Sequence, residues 1–167
     1  MTEIARREPW DRLARAALRP EPPPEGAAPR RLLACSLAGT PYALPVDRVR
    51  QVVRVRPITP VPRTPASVRG VISLRGTIVQ VLDLRLRLRL PALEPGRASR
   101  VVVVQGAETG LTGLLVDAVT DVWLAAAQDL RPPAAPEGSA VEALFARGES
   151  FVSVLDLDRV LDLDGDC

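Results

Sequence analysis

The side chains that most often do chemistry in proteins are largely missing from this chain. Its 167 residues include no histidine and no lysine. That leaves no imidazole base, no Schiff-base amine, no serine–histidine relay and no phosphate loop ending in lysine. Cys35 and Cys167 have neither residue type to activate them and read as free thiols. The acidic stretch Asp162-Leu163-Asp164-Gly165-Asp166 begins like a calcium loop but lacks the distal glutamate that such a loop needs. Asp117 and Asp121 can face one another or meet arginines at strand ends. The residue set speaks against an enzyme and for a protein that works by offering surfaces, with no cofactor and no metal expected.

Charge is carried by arginine and carboxylate alone, and it is unevenly spread. Residues 1–100 hold 19 arginines against 8 acids, and residues 101–167 hold 3 against 12, so the halves carry +11 and −9 and should attract each other. A nucleic-acid face is disfavoured, because the arginines stand singly and aromatic residues, at 3%, offer few stacking partners. The N-terminus has no apolar core behind its charges, and no run of eighteen apolar residues occurs, so neither export nor membrane insertion is expected. A cytoplasmic protein is the default.

The elements that must shape those surfaces read as mostly β. Hydrophobic residues make up 47% of the chain, enough for a core that must be built of valine, leucine, isoleucine and alanine. Seventeen prolines work against long helices. Residues 32–37 predict a strand and residues 42–44 a short return strand after a turn at Gly39-Thr40-Pro41. Val46, Val49, Val52 and Val53 fall at helical spacings, predicting a helical turn or two over residues 46–54. Residues 57–65, PITPVPRTP, predict an irregular loop. Leu84, Leu86, Leu88 and Leu90 alternate with Arg85, Arg87 and Arg89, the period of an edge strand guarded by charge, or of a face for an acidic partner. Residues 100–105 predict a strand covered on both faces, and residues 110–123 one long or bent strand with Gly113 as a bulge or close-approach site. Residues 128–136 read as loop, residues 141–145 and 151–155 as strands around Gly148, and residues 157–163 as a closing helical turn. Eight to ten short strands with frequent turn signals give an all-β fold with short helices.

The densest stretch is residues 68–85, VRGVISLRGTIVQVLDLR, which reads as a hairpin turning at Arg75-Gly76-Thr77. Its run Gly70-Val71-Ile72-Ser73-Leu74-Arg75-Gly76, followed by Ile78 to Arg85, resembles the central signature of the CheW family of chemotaxis adaptors. Gly113 to Val122 resembles that family's G-x-x-V-D-x-V-x-x-V passage, and weaker echoes run over residues 31–163. The resemblance implies two small five-stranded barrels packed on a shared apolar seam, with the chain crossing between them and returning. It implies an adaptor whose partners are the cytoplasmic tip of a methyl-accepting chemoreceptor and the regulatory domain of a CheA-type histidine kinase, with other CheW-like proteins as further partners. By matching position, the implied interface residues are Val46, Val49, Gly70, Arg75, Gly113, Val119 and Val122, although Val46 and Val49 can equally anchor their segment to the barrel and both glycines can be architectural. Gln51 stands where the family often has glutamate, which removes an ionic partner for Arg75. Val141-Glu142-Ala143 departs from the family's apolar-glycine step. A divergent accessory that binds receptor but not kinase is the alternative.

Residues 1–29 differ in texture. Residues 2–19 suit either a poorly ordered tail or a docking helix anchored by Trp10 and Leu13, and residues 20–26 a proline-rich linker. The domain proper is expected over residues 30–167. A protein beginning at Arg30 should therefore keep a cooperative thermal transition close to that of the full chain. A fall of several degrees in Tm would show that the tail packs on the domain.

Overall fold

The computed structural model describes residues 28–106, 110–133 and 139–164, and its strands sort into two sheets. The first holds β1 (Arg30–Leu37), β2 (Thr40–Pro45), β8 (Ala118–Ala125), β9 (Leu130–Arg131), β10 (Val141–Arg147) and β11 (Ser150–Leu155), in the order β8-β1-β2-β11-β10-β9. The second holds β3 (Val49–Arg54), β4 (Val68–Leu74), β5 (Thr77–Asp83), β6 (Arg100–Gln105) and β7 (Leu111–Val116), in the order β3-β6-β7-β5-β4. Two short helices follow matching hairpins, α1 (Leu84–Arg87) after β5 and α2 (Leu157–Leu161) after β11. This is the all-β architecture of two small subdomains that the resemblance implied, although the first has six strands and not five, because the two-residue β9 adds to its edge. The second subdomain is one continuous piece of chain, while the first is completed from both sides of it.

Strand alternation explains how one seam serves both sheets. Val101 and Val103 face the interior of the second subdomain with Ile72, Leu74, Val79, Val81 and Leu115. Val102 and Val104 face the other way, into a cluster that also takes Leu33, Cys35, Leu37, Leu44 and Leu155 from the first sheet. Residues 101–104 are uniformly apolar because both their faces are covered. Leu32, Ala43, Phe145, Val152 and Val154 fill the interior of the first subdomain.

Each subdomain closes by the same device. Beyond β3 the chain continues to Thr59, which exchanges two 2.9 Å backbone hydrogen bonds with Val71 of β4. Beyond β8 it continues through a 3-10 turn at Ala127–Asp129 into β9, which pairs with β10. Gly70 makes the first closure possible. It lies at φ +143°, and a Cβ there would sit 2.1 Å from the Thr59 carbonyl oxygen. Gly113 is a close-approach site and not a bulge: a Cβ would stand 2.6 Å from Cγ1 of Val101.

The two subdomains are copies of one plan. Val46-Asp47-x-Val49-x-x-Val52 leads into β3, and Val116-Asp117-x-Val119-x-x-Val122 leads into β8. Val79-x-Val81-Leu82-Asp83-Leu84 ends β5 and caps α1, and Val152-x-Val154-Leu155-Asp156-Leu157 ends β11 and caps α2. Pairings agree too: β5 lies parallel to β7 as β11 does to β2, and register shifts fall between Val68 and Gly70 and between Val141 and Ala143. Ala143 thus takes the place of Gly70, and β10 forms despite the departure noted at Val141-Glu142-Ala143.

Several sequence expectations need correction. The helical turn over residues 46–54 is confined to a 3-10 turn at Val46–Arg48, because Val49–Arg54 pairs with β6 and gains a full antiparallel ladder. The predicted edge strand at Leu84 to Leu90 is instead α1 over Leu84–Arg87 followed by a turn at Leu88 and Arg89, started by Asp83, whose carboxylate accepts from the backbone N–H of Arg85 and Leu86. Residues 110–123 are not one strand but two, β7 and β8, which part at Asp117 and belong to different sheets. Residues 128–136 are not all loop, since β9 lies within them. The strands number eleven among the described residues. The tail with Trp10 and Leu13, the proline-rich linker, and Gly165 to Cys167 lie outside the described residues.

Closure by Gly70 carries a measurable consequence. Gly70→Ala should cost about 2–4 kcal/mol in chemical denaturation, from backbone strain and overpacking together. Gly76→Ala, in a turn at φ +84° with open space around a Cβ, should cost only about 1–2 kcal/mol. Equal losses would mean that the Thr59 contact does not matter.

Candidate functional site

The two V-D-x-V segments mark the places where the chain crosses between subdomains. Val46, Val49 and Val119 are half-buried, and all three pack on the seam cluster. Val122 is 54% exposed and its counterpart Val52 is 39% exposed. Both belong to sheet-edge strands, β8 and β3, each hydrogen-bonded to a single neighbour. Leu124 adds a further exposed apolar side chain to β8. Gln51 is exposed beside the register shift in β3.

The eight residues singled out from sequence therefore divide three ways. Gly70 and Gly113 are buried and make room for backbone and side chain. Val46, Val49 and Val119 come together on the seam and brace the edge strands from beneath. Gln51, Arg75 and Val122 are exposed. Arg75 occupies the β4–β5 turn at φ +50° and has no hydrogen bond or ion pair among the described residues. No carboxylate among the described residues pairs with it, and neither does Gln51.

The residues that sequence reasoning missed are electrostatic. Arg85 donates from Nε to Oδ1 of Asp117 at 2.8 Å and from its terminal nitrogen to Oδ2, with a further bond to the Pro91 carbonyl. Asp117 also accepts from the backbone N–H of Ala38 at 2.8 Å. The Arg85 hydrogen bonds, reinforced by the Ala38 N–H, outweigh partial burial and hold the Asp117 carboxyl below its ordinary value of 3.8. Arg87 donates to the carbonyls of Arg159, Val160 and Asp162 at the end of α2. Arg30–Glu142 and Arg48–Asp158 join Arg85–Asp117 as ion pairs between the arginine-rich and acid-rich halves, which bears out their expected attraction. The doubled V-D-x-V and L-D-L motifs were the available signal, for they mark equivalent positions where a carboxylate recurs.

Among the described residues no catalytic arrangement of side chains is assembled. Cys35 is buried, and desolvation, with help from the Asp117 charge, pushes its thiol up to about 12. Among the described residues no group of three or more histidine, cysteine or carboxylate side chains is placed to hold a metal ion. What the structure presents is a pair of small barrels whose edge strands β3 and β8 carry exposed apolar side chains.

A CheW-like domain model matches residues 31–164. The chain belongs to the CheW-like family. It is 36% identical over 137 residues to chemotaxis protein CheW of Rhizobium meliloti (strain 1021), covering 78% of this chain and 86% of that one. It is 28% identical over 138 residues to chemotaxis protein CheW of Bacillus subtilis (strain 168), covering 79% and 86%. A crystal structure of the scaffolding protein TtCheW from Thermoanaerobacter tengcongensis superposes with a TM-score of 0.75 at 29% identity, over 82% of this chain and 95% of that one. The CheW-like signature around Asp83-Leu84-Arg85 is thus explained here by architecture, since Asp83 caps α1 and Arg85 ties it to Asp117.

The Arg85–Asp117 pair predicts an acid limit. Because folding lowers the Asp117 pKa, its contribution is complete above the unfolded value near 3.8 and fades as pH falls through the lower folded value. Asp117→Asn should therefore lower Tm at pH 7 by several degrees, with the gap to native protein closing below pH 4. A constant gap between pH 7 and pH 3 would contradict this.

Proposed function

We propose that this chain is a non-enzymatic signalling adaptor of a chemosensory array, coupling methyl-accepting chemoreceptors to a CheA-type histidine kinase in the cytoplasm. The observation that carries the reading is the CheW-like match over residues 31–164, on a structure whose described residues present surfaces and no reaction centre. No helix among the described residues is long and apolar enough to cross a membrane.

The edges of β3 and β8 supply the docking groups. Val52, Val122 and Leu124 offer apolar contact on open strands, while Val46, Val49 and Val119 fix those strands against the seam. Arg75 projects from a tight turn whose left-handed backbone limits its freedom. A guanidinium so placed can hold a carboxylate or two carbonyls in a fixed orientation, which lysine would not reproduce.

Titration against a receptor tip and against the kinase regulatory domain tests the reading. Val122→Asp and Arg75→Ala should each cost about 1–3 kcal/mol of binding while leaving Tm nearly unchanged. Val49 is a poorer probe, because a carboxylate there would be forced against the apolar seam. Unchanged affinity for both partners would overturn the proposal. Absence of kinase binding by the native protein, with receptor binding intact, would replace it with the accessory reading.

A further inference from the structure

The two barrels are finished differently at the ends that carry the β4–β5 and β10–β11 turns. In the second subdomain that end is held by Val53, Leu74, Val79 and Leu111, all packed on its apolar interior. The duplicated plan puts Trp123, Arg147, Val152 and Pro41 at the matching points of the first. The registers agree: Leu74 pairs with Thr77 where Arg147 pairs with Ser150, and Thr112 lies beside Gln80 where Tyr42 lies beside Ser153. At this end the first subdomain is hollow. A cavity of about 380 Å³ opens between Pro41, Trp123, Arg147, Gly148, Ser150 and Val152.

The lining offers hydrogen-bond donors and holds no carboxylate. The indole Nε1 of Trp123 is buried and has no acceptor among the described residues. The Arg147 guanidinium lies 4.3 Å from the centre of the Trp123 ring, within cation–π range, and makes no hydrogen bond or ion pair among the described residues. Ser150 adds a hydroxyl, and Val152, packed with Phe145, adds an apolar wall. Glu149 belongs to the same turn but does not line the cavity. Arg147, Gly148 and Ser150 are exposed, so the cavity is open to solvent.

Folding does not call for this arrangement, because leucine at the position of Arg147 and valine at that of Trp123 complete the other barrel. A buried donor without an acceptor is destabilising, and here a cation without a counter-ion lies against the same ring. One group with a negative charge and two acceptor oxygens satisfies both.

We propose that this cavity binds a small free organic acid in its ionised form, a carboxylate on a short apolar body. One carboxylate oxygen accepts from the Arg147 guanidinium and the other from the Trp123 indole N–H. Arg147 is held by the ring alone and can shift to meet the ligand. The apolar body lies against Pro41, Val152 and the indole. The volume stands at the low end of the range for small-molecule sites, about 300–1,000 Å³, which selects a compact acid over a nucleotide or a larger cofactor. Trp123 alternates along β8 with the exposed Val122 and Leu124, so the ligand rests against the inner face of the strand whose outer face carries them. The inference is independent of the adaptor reading.

The test is a titration of the isotope-labelled full chain with sodium isovalerate at constant ionic strength, followed by the indole N–H magnetic-resonance signal of Trp123. Trp10→Phe assigns that signal, since Trp10 and Trp123 are the only tryptophans. It should move saturably with a Kd of about 1 mM or below, within reach of so small a ligand. Neutral isovaleramide should bind at least about tenfold more weakly, and Arg147→Gln, which keeps the cavity open, should weaken isovalerate to a similar degree. Arg147→Leu, which copies the other barrel, should abolish the shift and leave Tm equal to or above the native value. Absence of a saturable shift, equal binding of acid and amide, or native affinity in Arg147→Gln would each overturn the inference. A response only to a peptide with a free C-terminal carboxylate would make a protein chain end the occupant and would equally overturn it.

Discussion

The contact on which the rest of the molecule depends is the one between Arg85 and Asp117. Asp117 is the residue at which the chain leaves β7 for β8, and its backbone N–H donates to the Ser36 carbonyl of β1. Its carboxylate holds the Ala38 amide in the β1–β2 turn and the Arg85 guanidinium at the start of α1. One side chain thus fixes the angle between the sheets, the hairpin that begins the first and the helix that ends a hairpin of the second. The helical form of α1 matters here. In a strand Arg85 and Arg87 would project from one face, but in a helix they lie about 200° apart around the axis. One can then reach Asp117 while the other reaches the last carbonyls of α2.

The internal duplication shows how a charge imbalance can grow inside a symmetric plan. At the return crossing the linkage is Asp117 with Arg85. At the outward crossing the matching aspartate, Asp47, is exposed, and the position matching Arg85 is Asp158. The connection survives with its sign reversed, through Arg48 donating to Asp158 at 2.8 Å. Arginine has accumulated on the contiguous subdomain and carboxylate on the other. Between them the seam is apolar, so the ion pairs at its margin orient the two barrels while burial supplies the bulk of the association.

Much of the fold could be read from sequence, and the failures share a cause. Strands with a tight turn between them, or with both faces apolar, were plain: β4 and β5 around Arg75-Gly76, β6 from its valines, β10 and β11 around Gly148. Residues 46–54 and 84–90 were misread because their aliphatic spacing suits more than one period, and cross-strand pairing or a capping aspartate decided the outcome. The break at Asp117 was hidden inside a continuous apolar run. Of the candidate site residues, the identities came through resemblance, but exposure did not. Nothing in the spacing of Val46, Val49, Val119 and Val122 says that three rest on the seam and one faces solvent, since that depends on how the two sheets meet.

The order of the chain also constrains how it folds. The contiguous subdomain, β3 to β7, contains every strand of its own sheet and can form as soon as its residues are present. Strands β1 and β2 come earlier but find their neighbours β8 and β11 only after the whole of the other barrel has been traversed. Their apolar faces must stay uncovered, or be held by the nascent seam, until those neighbours arrive. Such distant pairing is slow and exposes unpaired edges to other chains. During synthesis the N-terminal hairpin is consequently the segment that most needs shielding, although in the finished protein Leu32, Ala34, Cys35 and Leu44 are among the most completely buried residues.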